Sequence, residues 1–156
     1  MSVAFRREGD DEHMEPKFEV PLPPGPNWVT ARGLRLTQEM AATLEAVDTG
    51  AMEDEAAKKH KRLLRYWRTR RATAQLQPVT NGETVGFGCR VTYRLNGRDK
   101  CVMIVGDDEA DPADGRISFS SPLARAMMDA GVGETVDFAG KADAVEIVAI
   151  SVLTEA

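Results

Sequence analysis

The feature that most constrains this chain is a change of period at Pro78. Downstream of it, Val85, Phe87, Cys89, Val91, Tyr93 and Leu95 alternate with Gly86, Gly88, Arg90, Thr92 and Arg94. A repeat of two sends the first set to one face of a strand and the second to the other, so one face is buried. Asn96-Gly97 supplies the backbone of a two-residue hairpin turn. If Leu95 pairs with Arg98, Thr92 lies opposite Cys101, while Cys89 points to the other face. The two cysteines of the chain, Cys89 and Cys101, therefore read as separate small apolar residues rather than a disulfide. The returning strand "KCVMIV" is apolar on both faces, which predicts a central position.

Upstream of Pro78 the period is helical. Thr30 is placed as N-cap, with Val29 as the staple before it. Leu36, Met40, Leu44 and Val47 fall on one stripe, and Gly50 is the stop after Asp48-Thr49. A second helix is expected from Met52 to Gln75, with Ala56, His60, Leu63, Trp67 and Ala74 on its stripe and Leu64 alongside. Two such helices joined by a short loop predict an antiparallel hairpin over residues 28–77. His60 reads as a packing residue, since no second ligand stands at metal spacing from it, and His13 belongs to the tail.

Residues 1–27 read as a disordered tail. Acidic residues and "VPLPPGPN" leave it little apolar surface to bury. Residues 78–84 are a linker. Beyond the hairpin strands come the acidic loop "GDDEADPADG", the strand "RISFS", a helix opened by Ser121-Pro122 and ended by Gly131, then "TVDF" and "AVEIVAI". The fold class is α+β: a helical hairpin, then a curved antiparallel sheet with one helix over residues 85–156.

At 42% hydrophobic and 29% charged residues the chain is of soluble globular type. It has no run near the roughly 20 apolar residues of a membrane span, and its start lacks the apolar core of a secretory signal. A cytoplasmic monomer with no membrane partner is the expectation. The net charge of −5 hides an asymmetry. Residues 51–77 carry eight Lys or Arg against three Asp or Glu, leaving 12 basic and 22 acidic groups elsewhere. That points to a partner with patches of both signs, or to nucleic acid at the basic helix.

Three sets of residues are candidates for function. Glu53 and Asp54, with Glu55, are either a working acidic tip or the usual acidic first turn of a helix. Lys58, Lys61, Arg62, Arg65 and Arg68 form a basic face off the apolar stripe, either solvated or partner-facing. Asp107 to Asp111 crowd four acids into five positions, yet without the spacing of a calcium loop.

Three motifs, "VGDDEADP", "ISFSSPLARAMM" and "VGETV", occur in the order and spacing of the GreA/GreB transcript cleavage factors. "VTARGLRL" and "ATAQLQPV" resemble the borders of that family's hairpin, so the resemblance runs from Trp28 to Ile150. It implies a coiled-coil hairpin and an FKBP-like domain that docks on the rim of the secondary channel of bacterial RNA polymerase. It also implies that Asp108, Glu109, Asp111, Ser121, Pro122 and Leu123 lie on or near the docking face. RNA or DNA would be met only within the transcription complex.

In that family two acidic tip residues help to hold a Mg²⁺ ion that belongs to the polymerase, which then cuts its own RNA. Laid on Gly50 and Ala56, the first acidic position falls on Ala51 and the second on Asp54. The arm is also about 20 residues shorter than the family's. Ten residues per helix at 1.5 Å each withdraw the tip by roughly 15 Å. The expectation is a Gre-type regulator, not an enzyme, with no catalytic residue, no metal and no cofactor of its own. The alternatives are an active cleavage factor that uses the tip, a peptidyl-prolyl isomerase-like module, and a free nucleic-acid binder.

Overall fold

The computed structural model describes residues 19–78 and 80–153. The tail before Glu19, His13 included, lies outside the described residues. The chain divides into two compact units. One holds residues 26–36 and those from Thr73 onward. The other holds residues 37–72 with the segment ending at Gly25.

The first unit is built on a five-stranded sheet. Its strands are β3 (Cys89–Leu95), β4 (Arg98–Val105), β5 (Arg116–Ser118), β6 (Thr135–Phe138) and β7 (Lys141–Val152), in the order β5-β4-β3-β7-β6. Both turn residues between β3 and β4, Asn96 and Gly97, have positive φ, 54° and 76°, as a tight hairpin turn requires. The register follows: Leu95 pairs with Arg98 and Thr92 with Cys101. Cys89 is buried and Cys101 exposed, both as free thiols. Burial raises the pKa of Cys89, although the Gly86 amide donates to its sulfur. It behaves as a core residue rather than a nucleophile.

Three expectations for this unit are corrected. The sheet is mixed, because β5 runs parallel to β4. Residues 106–115 double back through two 3₁₀ turns, Asp107–Glu109 and Pro112–Asp114, and the Met103 amide donates to the Gly115 carbonyl at 2.8 Å. The alternating strand begins at Cys89, not Val85, since Gly88 takes φ 82° and breaks the extended run. The helix after Ser121, α3 (Pro122–Met127), stops short of Gly131. Val85 captures the backbone beyond it, accepting from the Asp129 amide and donating to the Ala130 carbonyl.

Val91, Ile104, Val145 and Ile147 from the sheet and Ala124 and Met127 from α3 are fully buried together. Burying side chains of this size contributes about 1.5–3 kcal/mol each for the larger ones. β4 is apolar on both faces only in its second half, as Lys100 and Cys101 are exposed.

The same unit contains a second, two-stranded parallel sheet that the helical stripes concealed. β1 (Trp28–Val29) pairs with β2 (Gln75–Leu76), and the Gln75 amide donates to the Asn27 carbonyl at 2.8 Å. Gln75, expected as the last residue of the second helix, is therefore a strand residue, paired with Trp28 ahead of the Thr30 cap. Thr30 does cap α1 (Ala31–Glu45), its hydroxyl accepting from the Gly33 amide at 3.0 Å.

In the second unit α1 ends at Glu45, before Val47, which is 39% exposed and leaves the predicted stripe. Helix α2 spans Asp54–Thr73, shorter at both ends than expected. Polar contacts tie the two helices. His60 is buried, and its Nε2 donates at 2.9 Å to the Leu44 carbonyl in the last turn of α1, which also accepts from the Val47 amide at 3.3 Å. Glu45 accepts from Arg68 and Arg71 in the last two turns of α2. A strict antiparallel register would have set Glu45 beside the first turns of α2. No helix of the described residues is long and apolar enough to cross a membrane.

Candidate functional site

The acidic loop and the start of α3 are joined by a compact polar lock. Asp107 Oδ1 accepts from the Ser118 hydroxyl at 2.5 Å and from the Ser120 hydroxyl at 3.2 Å. The two serine oxygens lie 2.8 Å apart, and the Ser120 amide donates to Ser118 Oγ. One carboxylate oxygen thus fixes the turn after β4 to the turn before α3. Ser121 then caps α3, accepting from the Ala124 amide at 3.4 Å, with Pro122 at the first helical position.

The predicted docking residues separate into two kinds. Asp111 and Pro122 are exposed, while Asp108 and Ser121 are partly so. Asp111 is held by its backbone, its amide and carbonyl both bonded to Arg116. Leu123 packs against the core below. Glu109 points the other way and is 5% exposed. Its Oε1 accepts from the Thr30 hydroxyl at 2.6 Å and its Oε2 from Arg32 Nη1 at 3.1 Å, with Arg116 Nε at 3.9 Å. The assignment of Glu109 to a partner-facing surface is corrected here, because its charge is already answered inside the fold.

Glycines make this inward turn possible. A Cβ at Gly33 would stand 2.9 Å from Glu109 Oε1. One at Gly106 would stand 2.2 Å from the Trp28 carbonyl oxygen, so the strand end and the acidic loop fit only around glycine. Trp28 stacks on Phe119 with centroids 4.7 Å apart, and Phe87 meets both rings edge-on at 5.9 and 5.6 Å. Thr30, Arg32, Gly33 and Arg116 were missed as site residues. The first three had one signal, membership of "VTARGLRL", and Arg116 lies in none of the motifs.

The acidic start of α2 is simpler. Glu53 precedes the helix, Asp54 and Glu55 occupy its first turn, and all three are exposed. Arg70 and Arg71 stand in the last turn, so both ends of the helix complement its dipole. No group of three or more His, Cys, Asp or Glu among the described residues is arranged to hold a metal ion. On the basic face, Lys58, Lys61, Arg65 and Arg68 are exposed and Arg62 is partly so. Arg68 is paired with Glu45 and Arg65 with Glu19.

Residues 80–152 match the family model described as "Transcription elongation factor, GreA/GreB, C-term". That domain, residues 80–152, belongs to the GreA/GreB family.

Two relatives give the scale of the likeness within the GreA/GreB family. Transcription elongation factor GreA of Chelativorans sp. (strain BNC1) is 44% identical over 70 residues, 42% of this chain and 45% of the relative. That of Brucella anthropi is 46% identical over 59 residues, 36% and 38%. The matched stretch spans less than half the length of the curated relatives. Among solved structures, GreA factor homolog 1 (Gfh1) of Thermus thermophilus aligns over 81% of this chain and 99% of its own, at 20% identity and a TM-score of 0.38. GreA/GreB from Nitrosomonas europaea aligns over 82% and 99%, at 15% identity and 0.40. Superpositions that loose carry no weight here. The family is one of transcription elongation factors, and the fold is α+β with a mixed sheet.

Proposed function

We propose that the chain is a Gre-type elongation regulator that binds bacterial RNA polymerase at the rim of the secondary channel and does not stimulate transcript cleavage. In this reading the sheet unit is an FKBP-like docking module and α1 and α2 serve as a helical arm. Asp108 and Asp111, with Ser121 and Pro122, offer negative charge and a rigid helix start to basic groups of the polymerase. Glu109 contributes only by holding its loop.

The observation that carries the reading is the contrast between a well-matched C-terminal domain and a tip with Ala51 in place of one acid. The remaining carboxylates, Glu53 and Asp54, sit where a helix dipole favours acid in any case. Mg²⁺ accepts one or two carboxylates only at about 2.1 Å, so a displaced pair does not serve. Phe87 meets Phe119 and Trp28 edge-on and Phe119 stacks on Trp28, so these rings are engaged with one another, which does not favour an isomerase pocket.

The test is retention on immobilised core polymerase, followed by addition to backtracked complexes. Retention that a true cleavage factor displaces, with the RNA left uncut, is expected. Asp111→Arg is expected to weaken retention several-fold. Robust cleavage that disappears with Asp54→Ala overturns the non-cleaving part, and failure to bind core polymerase overturns the whole.

A further inference from the structure

The middle of the acidic loop is held from outside, by the start of α1. Asp107 and Asp111 fasten the two ends of the loop. Between them the 3₁₀ turn Asp107–Glu109 has only long bonds of its own. The Glu109 amide reaches the Gly106 carbonyl at 3.2 Å, and the Ala110 amide reaches the Asp107 carbonyl at 3.4 Å. Bonds at or beyond the end of the usual range hold weakly. The Glu109 side chain does the holding instead, one oxygen on Thr30 and the other on Arg32. Thr30, Arg32 and the loop all belong to the sheet unit.

Thr30 serves two partners with one hydroxyl. Its proton goes to Glu109 Oε1 at 2.6 Å, and its oxygen accepts from the Gly33 amide at 3.0 Å. The cap of α1 and the anchor of the loop are therefore the same atom. Donation to a carboxylate polarises the hydroxyl and makes it a better acceptor for Gly33. Gly33 adds a steric half. A Cβ there would stand 2.9 Å from Glu109 Oε1, so the carboxylate lies against the α1 backbone itself. Negative charge at that end of a helix also answers its dipole. The Glu109 side chain is 2% exposed, so water does not weaken these contacts as it does a surface pair.

We propose that the Thr30–Glu109 clamp is a positioning device: the first turn of α1 sets the pose in which Asp108 and Asp111 are offered to a partner. Thr30, Arg32 and Gly33 then act on binding through Glu109. The coupling runs both ways, so a partner seated on the loop firms the start of α1. The partner in this proposal rests on the polymerase-docking reading, whereas the clamp is measurable in the free chain.

Hydrogen exchange on the full-length chain is the test. Thr30→Ser keeps both the donor and the cap. Thr30→Asp keeps an acceptor for the cap but has no proton to give Glu109. The Glu109 and Ala110 amides are expected to exchange about fivefold faster in Thr30→Asp than in Thr30→Ser, with the β3 amides unchanged. Gly33→Ala covers the case in which Thr30→Asp opens β3 as well. Alanine favours the helix, yet its methyl displaces Glu109, so the same loop amides are expected to speed up. Unchanged loop exchange in Gly33→Ala, or in a Thr30→Asp chain whose β3 stays closed, overturns the proposal and leaves the docking reading standing. Retention on immobilised core polymerase reads the consequence. It is expected to fall several-fold in the variants with a loosened loop and to hold in Thr30→Ser. A loosened loop with undiminished retention overturns the positioning role. A parent chain that does not bind overturns the docking reading, and the positioning role with it.

Discussion

The two units bury different kinds of side chain. In the sheet unit Val85, Val91, Ile104, Val145 and Ile147 are fully enclosed beside Met127. In the helical unit the buried residues are Thr37, Ala41, His60 and Arg70, while Leu63, Leu64 and Trp67 are only partly covered. The first is therefore held by loss of apolar surface to water, the second by small side chains and polar contacts at helix ends. The lesson is that an apolar stripe reports a helix but not what the helix packs on. A face rich in Arg and Glu leaves the helical unit dependent on pairs that water weakens.

This contrast can be broken most sharply at the core. Ile104→Ala should cost about 3–4 kcal/mol in urea denaturation, because the site is sealed and the neighbours cannot close the void. A cost below about 1 kcal/mol would remove the distinction between the units. Next in size is Glu109→Ala, expected to cost about 2 kcal/mol by leaving the Thr30 hydroxyl and Arg32 without the acceptor they share. Glu109→Gln should cost less, since an amide oxygen still accepts from Thr30. Ser121→Ala follows at about 0.5–1 kcal/mol, at the low end for a cap because its bond is long.

The smallest effect is expected at Glu45. Hydrogen bonds from Arg71 and then Arg68 lower its pKa from 4.5 to about 2. A carboxyl whose pKa falls on folding stabilises above its ordinary value and loses that contribution as pH drops toward the folded one. Glu45→Gln should thus melt within about 1 °C of the parent at pH 7. It should also lack the parent's added loss of stability between pH 4.5 and about 2. A change as large as that of Ile104→Ala would mean that these exposed pairs, not the core, hold the helical unit.

Much of the sheet unit was legible before any coordinates. Asn96-Gly97 named the turn, and period two then assigned each residue of β3 and β4 to a face, Cys89 inward and Cys101 outward. Ser121-Pro122 announced α3 for the same local reason. What was not legible came from contacts that no period records. Gln75 read as a helix end because its helical neighbours carry the pattern, yet backbone pairing with Trp28 across the chain made it a strand residue. The end of α3 was placed at a glycine, the common terminator, but Val85 took its backbone groups first.

Short-range rules, then, settled which segments are strands and helices in the C-terminal part, how its hairpin is registered, and which family the motifs indicate. They work there because the turn, the cap and the alternation act between residues that are neighbours along the chain. The fate of Glu109 needed the folded molecule. Its acceptor atoms are claimed by Thr30 and Arg32, 79 and 77 residues away. A carboxylate in an acidic loop looks solvated until a hydroxyl and a guanidinium are carried to it, and only chain folding carries them.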